Sequence, residues 1–272
     1  MQTSNSAAAH GQGDRRTTSA TDNENRRNRT QVLDWRRYAS EALGTFALVA
    51  VGPGAVMVAA STQAFGHTGV ALAFGLVITF VVAATGHLGG AHINPAVTVA
   101  LGSVRRFPGR EVLPYVAAQC LGAIAASFAL RWILGPVGQL GATIPALSLG
   151  RSFAVELVYS AILAFVIMGV ATDERTPAGV APFALGATVF AGALVTGPLT
   201  GGSFNPARSL GPALAGGGWT GHWIYWLAPT LGMVVAMRLY EALRPASAPA
   251  SVPPGVPMGR RRADYRTVRA GS

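Results

Sequence analysis

The sequence predicts an all-α integral membrane protein in which six transmembrane helices and two re-entrant half-helices form an inverted repeat. The first observation is the distribution of charge: 18 of the 32 charged side chains lie in residues 1–37 and 243–272, which leaves 14 for the 205 residues between. The second is a set of six apolar runs of about 20 residues, the length that crosses a hydrocarbon core of about 30 Å. The third is a pair of short segments that both contain Asn-Pro-Ala.

The ends of the chain differ from its middle in composition. Residues 1–37 are basic and rich in Asn, Thr and Ser, and residues 243–272 are rich in Pro, Ala and Arg. Segments of this composition stay disordered because they bury little apolar surface. Residues 1–37 also lack the apolar core of a signal peptide, so the first span is expected to remain. We therefore expect two disordered cytoplasmic tails around one membrane domain at 38–242.

The six spans follow one another along this domain, and their orientation follows from the positions of arginine. The predicted spans are 39–60, 69–88, 112–134, 152–171, 179–197 and 222–242. With the N-terminus inside, 18 of the 21 Arg residues are cytoplasmic; Arg131 and Arg151 lie near outer ends, and Arg208 lies inside a motif. Cytoplasmic loops collect Lys and Arg, so both termini are predicted to be cytoplasmic. Small residues let membrane helices pack closely, and this is expected of the mid-span glycines Gly75, Gly122, Gly186 and Gly232.

The two short segments, His92–Ser103 and Phe204–Leu214, are predicted to be half-helices. Each has about ten residues, follows a Gly-rich stretch and is too short to span a bilayer. Asn is a favoured helix N-cap and Pro is favoured in the first turn. Each Asn-Pro-Ala is therefore a predicted helix start.

The two halves of the domain repeat one another. Asn94 and Asn205 are 111 residues apart, and Glu41 and Glu156, each near the start of a span, are 115 residues apart. Each half has three spans, so the second copy enters from the opposite side of the membrane. The predicted repeats are about 38–134 and about 151–242.

Inverted topology brings the N-termini of the two half-helices together near the bilayer midplane. Each N-terminus carries about +0.5 charge, so the pair opposes a cation there. The side-chain NH₂ groups of the two Asn residues can donate to a passing water and turn its hydrogens outward, which interrupts a proton wire. The residues predicted to form this pore are Asn94, Pro95, Ala96, Asn205, Pro206 and Ala207.

Glu41 and Glu156 need a compensating interaction, because a carboxylate inside a span costs about 2.5–3.5 kcal/mol even on the lenient insertion scale. Two interpretations are open. The carboxylates could couple proton movement in a secondary transporter, or each could accept hydrogen bonds from the loop of its own half and fix the half-helix.

The strings GGAHINPAVT at 89–98 and GGSFNPARS at 201–209 resemble the two signature loops of the major intrinsic protein family, the aquaporins and aquaglyceroporins. The resemblance covers about 38–242 and is strongest to bacterial aquaporins and plant nodulin-like intrinsic proteins. It implies a passive channel for water and for small uncharged solutes such as glycerol, urea and neutral metalloid acids, closed to protons and ions. It also implies one pore per chain, a homotetramer in the plasma or inner membrane, and no cofactor. For Glu41 and Glu156 it implies the supporting role.

The resemblance also implies a constriction formed by four residues, Phe74, Ala193, Gly202 and Arg208. Strict water channels carry His at the position of Ala193, so a methyl group there, opposite Gly202, is expected to widen the constriction. Other positions match water-type members instead, namely Ser209, Ala213, Tyr225 and Trp226. We expect water to pass, and the width argument adds small neutral solutes.

Other classes of function fit the sequence less well. A net charge of +10 is compatible with nucleic-acid binding, but most of the Arg residues flank apolar spans. The spans offer no recognisable catalytic pair or metal cluster, and a single Cys120 excludes an internal disulfide. A solute facilitator with little water flux, a secondary transporter and a closed-pore scaffold remain as alternatives.

Overall fold

The computed structural model describes residues 35–177 and 179–244, and six long helices and two short ones are found there. The helices are α1 (Trp35–Thr62), α2 (His67–Gly89), α3 (Pro95–Ser103), α4 (Gly109–Leu134), α5 (Leu149–Ala171), α6 (Val180–Thr200), α7 (Pro206–Pro212) and α8 (Ile224–Leu243). Most of the two predicted tails lies outside the described residues. The first three helical residues, 35–37, fall within the segment expected to be tail, because α1 continues beyond its apolar part.

Five of the long helices, α1, α2, α4, α5 and α6, are long and apolar enough to cross a membrane. Helix α8 has 20 residues, which is also sufficient length. Two charged residues, Arg238 and Glu241, lie in its last turns. The prediction of six helices in the positions of the six spans is confirmed.

Helices α2 and α6 cross at two glycines, as expected from their mid-span positions. A Cβ atom on Gly75 would lie 2.8 Å from the carbonyl oxygen of Gly186, and one on Gly186 would lie 2.6 Å from the carbonyl oxygen of Gly75. The contact is reciprocal, and its two members are 111 residues apart, like the two Asn residues. The crossing therefore lies where the symmetry of the repeat relates one helix to the other.

Two further helix pairs use glycine in the same way, one in each repeat. A Cβ atom on Gly122 of α4 would lie 2.1 Å from the carbonyl oxygen of Ala42 in α1. In the second repeat, a Cβ atom on Gly232 of α8 would lie 2.2 Å from the carbonyl oxygen of Leu157 in α5. Both distances are far shorter than a normal contact, so the backbones touch only because a side chain is missing.

The half-helices α3 and α7 begin as predicted but have different bounds. Asn94 caps α3 through an Oδ1 atom that accepts from the Ala96 N–H at 2.9 Å, and Asn205 caps α7 through the N–H of Ala207 at 3.0 Å. The residues before each Asn are not helical, because their N–H groups are bound elsewhere. Helix α7 also ends earlier than predicted and passes into a π-turn at Ala213–Gly217.

Candidate pore and selectivity filter

The two signature loops are joined by a crossed pair of hydrogen bonds. The Asn94 Nδ2 atom donates to the carbonyl oxygen of Phe204 at 2.8 Å, and the Asn205 Nδ2 atom donates to that of Ile93 at 2.7 Å. Each side-chain amide has two hydrogens, so one remains for a molecule in the cavity that both Asn side chains line. The pair can therefore act as the two donors expected from the sequence.

Glu41 fixes the loop before α3. Its carboxylate accepts from the backbone N–H of His92 at 2.8 Å, from that of Ile93 at 2.6 Å and from Gln119 Nε2 at 2.8 Å. The side chain is 0% exposed. Three donors from its own repeat therefore hold this carboxylate, as the supporting interpretation requires.

Glu156 does the same in the second repeat. It accepts from the N–H of Ser203 and from that of Phe204, both at 2.9 Å, and from Thr200 Oγ1 at 2.6 Å. The two backbone donors stand 111 residues after those that serve Glu41. The repeat seen in the sequence thus extends to individual hydrogen bonds. These bonds favour the interpretation in which each carboxylate fixes the loop of its own half over the one in which it couples proton movement.

Two buried tyrosines complete the loop supports; Tyr115 was not predicted from the sequence, and Tyr225 was noted there only as a position typical of water-type members. The Tyr115 hydroxyl donates to the carbonyl oxygen of Gly89 at 2.9 Å, and the Tyr225 hydroxyl donates to that of Thr200 at 2.7 Å. The tyrosines are 110 residues apart. Extending the repeat beyond the Asn and Glu residues could have identified Tyr115, and it could have shown that Tyr225 supports a loop.

A chain of hydroxyl groups joins the second loop to the segment between α4 and α5. Thr143 Oγ1 donates to Ser209 Oγ at 2.8 Å, and Ser209 Oγ lies 2.6 Å from Ser203 Oγ. Ser203 Oγ in turn donates to the carbonyl oxygen of Asn205 at 3.0 Å. Ser209 therefore helps to hold Asn205. From the sequence alone, Ser209 was only a position typical of water-type members.

The structure brings the four residues of the expected constriction together. They line both a wide cavity of about 600 Å³ and an adjoining narrow cavity of about 40 Å³; these residues are Phe74, Ala193, Gly202 and Arg208. We call the wide cavity the first vestibule and the narrow one the constriction.

The constriction continues on its other side into a second vestibule of about 220 Å³. The residues that line both are Ile78, Asn94, Leu163, Val189 and Asn205. Three cavities in series therefore form one path, with the Asn pair between the constriction and the second vestibule. Three of these five shared residues are aliphatic, and the two Asn residues supply the polar side chains between them.

Arg208 is the charged side chain of the constriction and is only 2% exposed. Its Nη1 atom donates to the carbonyl oxygen of Gly141 at 2.7 Å, and its Cζ atom lies 5.0 Å from the centroid of the Phe74 ring. Its Nε atom is buried and has no hydrogen-bond partner among the described residues. Because this atom is buried, a molecule in the constriction does not reach it, and Arg208 contributes to the lining as a positively charged group.

Arg131 was considered above only as a marker of topology, but its side chain also makes a hydrogen bond in the structure. Its Nη1 atom donates to the carbonyl oxygen of Ala215 in the π-turn after α7. A cation is favourable at this end of a helix, where the carbonyl groups lack helical partners. Arg131 therefore anchors the far end of the second half-helix.

Comparisons with known proteins agree with this geometry. The model of the family described as Major intrinsic protein matches residues 28–240. The chain is 40% identical over 215 residues to aquaporin NIP3-1 of Oryza sativa subsp. japonica, covering 77% of this chain and 68% of that protein. It is 41% identical over 211 residues to nodulin-26 of Glycine max, covering 77% and 78%. Among solved structures, the aquaglyceroporin from Plasmodium falciparum is similar, with a TM-score of 0.70, 28% identity and coverage of 76% of this chain and 95% of that one.

Proposed function

The chain belongs to the major intrinsic protein family, and we propose that its constriction admits uncharged solutes as large as glycerol in addition to water. It is a multi-pass membrane protein and a channel for water and small neutral solutes, not an enzyme. The finer proposal concerns the aperture and the residues that set it, Phe74, Ala193, Gly202 and Arg208.

The observation that carries the proposal is the small size of two walls of the constriction. Ala193 contributes only a methyl group and Gly202 contributes no side chain, while Arg208 contributes a positive charge to the lining. A polyol can turn a hydroxyl oxygen toward the guanidinium and place its carbon chain along the Phe74 ring. Cations are opposed by the buried guanidinium and by the two half-helix N-termini.

The residues that match water-type members do not contradict this aperture. Ser209 binds the Ser203 side chain in the second loop, and Tyr225 binds the backbone at the start of that loop. Neither residue lines the constriction. Pore diameter and the groups that line it determine which solute passes. We therefore give more weight to the open walls than to these correlated positions.

Stopped-flow light scattering on proteoliposomes tests the proposal by comparing osmotic shrinkage with re-swelling in glycerol. Wild type should show fast water flux and re-swelling. Ala193→His should keep water flux and lose re-swelling, because the imidazole fills the space beside the Ala193 methyl group.

Ala191→His is the matched control, since Ala191 is exposed on the same helix and lines none of the three cavities in series. This variant should behave as wild type. Fast water flux without glycerol entry in wild type would show a water-only filter.

We also propose that the channel is a homotetramer in the plasma or inner membrane, with both termini cytoplasmic. Large apolar side chains remain exposed on several helices, including Leu43 on α1, Leu76 on α2 and Phe183 on α6. A membrane protein can cover such surface with lipid or with other copies. Mass photometry in nanodiscs should give four chains per particle, and particles of one chain would contradict the assembly.

A further inference from the structure

Gly52 of α1 lies directly behind the aromatic wall of the constriction. A Cβ atom on Gly52 would lie 2.3 Å from Cε1, 2.6 Å from Cδ1 and 2.7 Å from Cζ of Phe74. Carbon atoms in favourable contact are about 3.5–4.0 Å apart. The Phe74 ring can therefore occupy its position only because residue 52 has no side chain.

The next residue of α1 supports a second group of the constriction. Gly141, whose φ is +66°, packs so closely on Pro53 that a Cβ atom on Gly141 would lie 2.7 Å from Pro53 Cα. The carbonyl oxygen of Gly141 is the acceptor that holds Arg208 Nη1 at 2.7 Å. Two adjacent residues of one helix thus position two groups of the constriction, the ring and the guanidinium.

The second repeat does not have this arrangement. The positions related to Gly52 and Phe74 by the repeat offsets of 115 and 111 residues are Ile167 and Leu185. Both are aliphatic, and both line the second vestibule. The pairing of a glycine with an aromatic ring therefore belongs to the constriction and is not general packing of the repeat.

We propose that Gly52 is a positioning residue that sets the width of the constriction by letting the Phe74 ring withdraw toward α1. The inference rests on the proposed conduction of solutes and names a determinant of their size limit. A methyl group at position 52 must move the ring by about 1 Å to restore a normal contact. Phe74 lines both the first vestibule and the constriction, so the open space for the displaced ring is the lumen.

The test compares Gly52→Ala with Gly54→Ala in proteoliposomes, with water, urea and glycerol as permeants. Gly54 is also buried on α1, but a Cβ atom there would meet only the end of the Leu130 side chain, at 3.2 Å. For Gly52→Ala we expect glycerol permeability to fall about tenfold, equal to ~1.4 kcal/mol in the barrier. Urea permeability should fall less and water permeability least. Gly54→Ala should keep the wild-type order and magnitudes.

A double variant tests whether Gly52 acts through the ring. In a Phe74→Ala background the Cβ atom at position 52 has no ring to displace, so Gly52→Ala should change no permeability. An equal fall in all three permeabilities, or the same fall with and without the ring, would overturn the proposal in favour of a general packing effect.

A crystal structure of Gly52→Ala gives a readout that does not depend on transport. The Phe74 ring should lie about 1 Å nearer the lumen, with α1 in place. A ring in its wild-type position, accommodated by movement of α1, would overturn the inference. Wild-type vesicles that pass no solute would instead contradict the proposed function, and the ring position would still decide the role of Gly52.

Discussion

The buried carboxylates show how single residues hold this fold together. Glu41 and Glu156 are both fully buried, and each binds two consecutive N–H groups of its own loop. These N–H groups precede a half-helix and have no helical partner, so the carboxylate replaces the water they would otherwise bind. Their position deep in apolar spans follows from this backbone requirement.

Glu156→Gln should lower stability without giving the flux a new pH dependence. The carboxamide keeps one acceptor oxygen and brings an NH₂ group toward the donors of Ser203 and Phe204, so one buried N–H loses its partner. Such a loss costs about 1–3 kcal/mol. Thermal unfolding followed by intrinsic fluorescence should show a lower Tm, and Glu174→Gln, at an exposed loop position, should not.

The pH profile of water flux in the same variants decides between support and coupling. A channel with a supporting Glu156 should keep its profile when the carboxylate is neutralised. If wild-type flux followed a proton gradient and Glu156→Gln abolished that response, a secondary transporter would be the better description.

At the residue scale, side chains with a distinctive chemistry were predictable and backbone groups were not. Asn94, Arg208 and Glu41 each have a side chain that is unusual at membrane depth. The carbonyl oxygen of Gly141 and the missing side chain of Gly52 leave no such mark, since every residue has a carbonyl group and many glycines only pack helices. Their roles depend on distances that only the folded chain provides.

At the scale of the elements, glycine determines which helices can touch. The α1–α4 and α5–α8 pairs bring a backbone carbonyl group to the space where a Cβ atom of Gly122 or Gly232 would lie. Backbone cannot move aside as a side-chain end can. The closeness of these pairs is therefore fixed by one residue in each pair.

Gly122→Ala should separate α1 from α4 and destabilise the protein by about 1–3 kcal/mol, as overpacking does. Gly86→Ala on α2 is the matched control, because a Cβ atom there has no neighbour within 4 Å. Replacing a helical Gly by Ala without strain is neutral or stabilising by up to about 1 kcal/mol. Tm values of both variants in the same detergent provide the measurement, and equal Tm values would contradict the packing argument.

The sequence predicted the type and order of the elements but not the shape of the loops before the half-helices. Residues Ala91, Ile93 and Phe204 have φ values of +49°, +44° and +54°. A residue other than glycine in this region is strained by about 1–3 kcal/mol, and no local pattern marks it in advance. The hydrogen bonds to the two Glu residues stabilise this backbone, so the loop depends on groups about 50 residues away.

At the scale of the whole molecule, the distribution of arginine predicts orientation, which the fold alone leaves open. Arg105, Arg106 and Arg175 lie in connections on the side of the membrane predicted to hold both termini, and Arg131 and Arg151 lie toward the other side. Because short loops rich in Arg stay in the cytoplasm, a green fluorescent protein fused to either terminus should fluoresce in a bacterial host. Alkaline phosphatase fused there should be inactive, and phosphatase inserted at 136–137 should be active; the reverse pattern would contradict the orientation.

The crossed bonds between the signature loops have a consequence for how such a chain could arise. The bond from Asn94 to Phe204 and the bond from Asn205 to Ile93 are images of one another under the two-fold relation of the halves. Two identical half-length chains, inserted in opposite orientations, would make both bonds without any change at their meeting point. The two entrances of the pore in such a pair would be identical. Fusion into one chain lets the copies diverge, and Val97 in one loop stands 111 residues before Arg208 in the other. A constriction at one mouth only is therefore possible for the fused chain and impossible for a symmetric pair of half-chains.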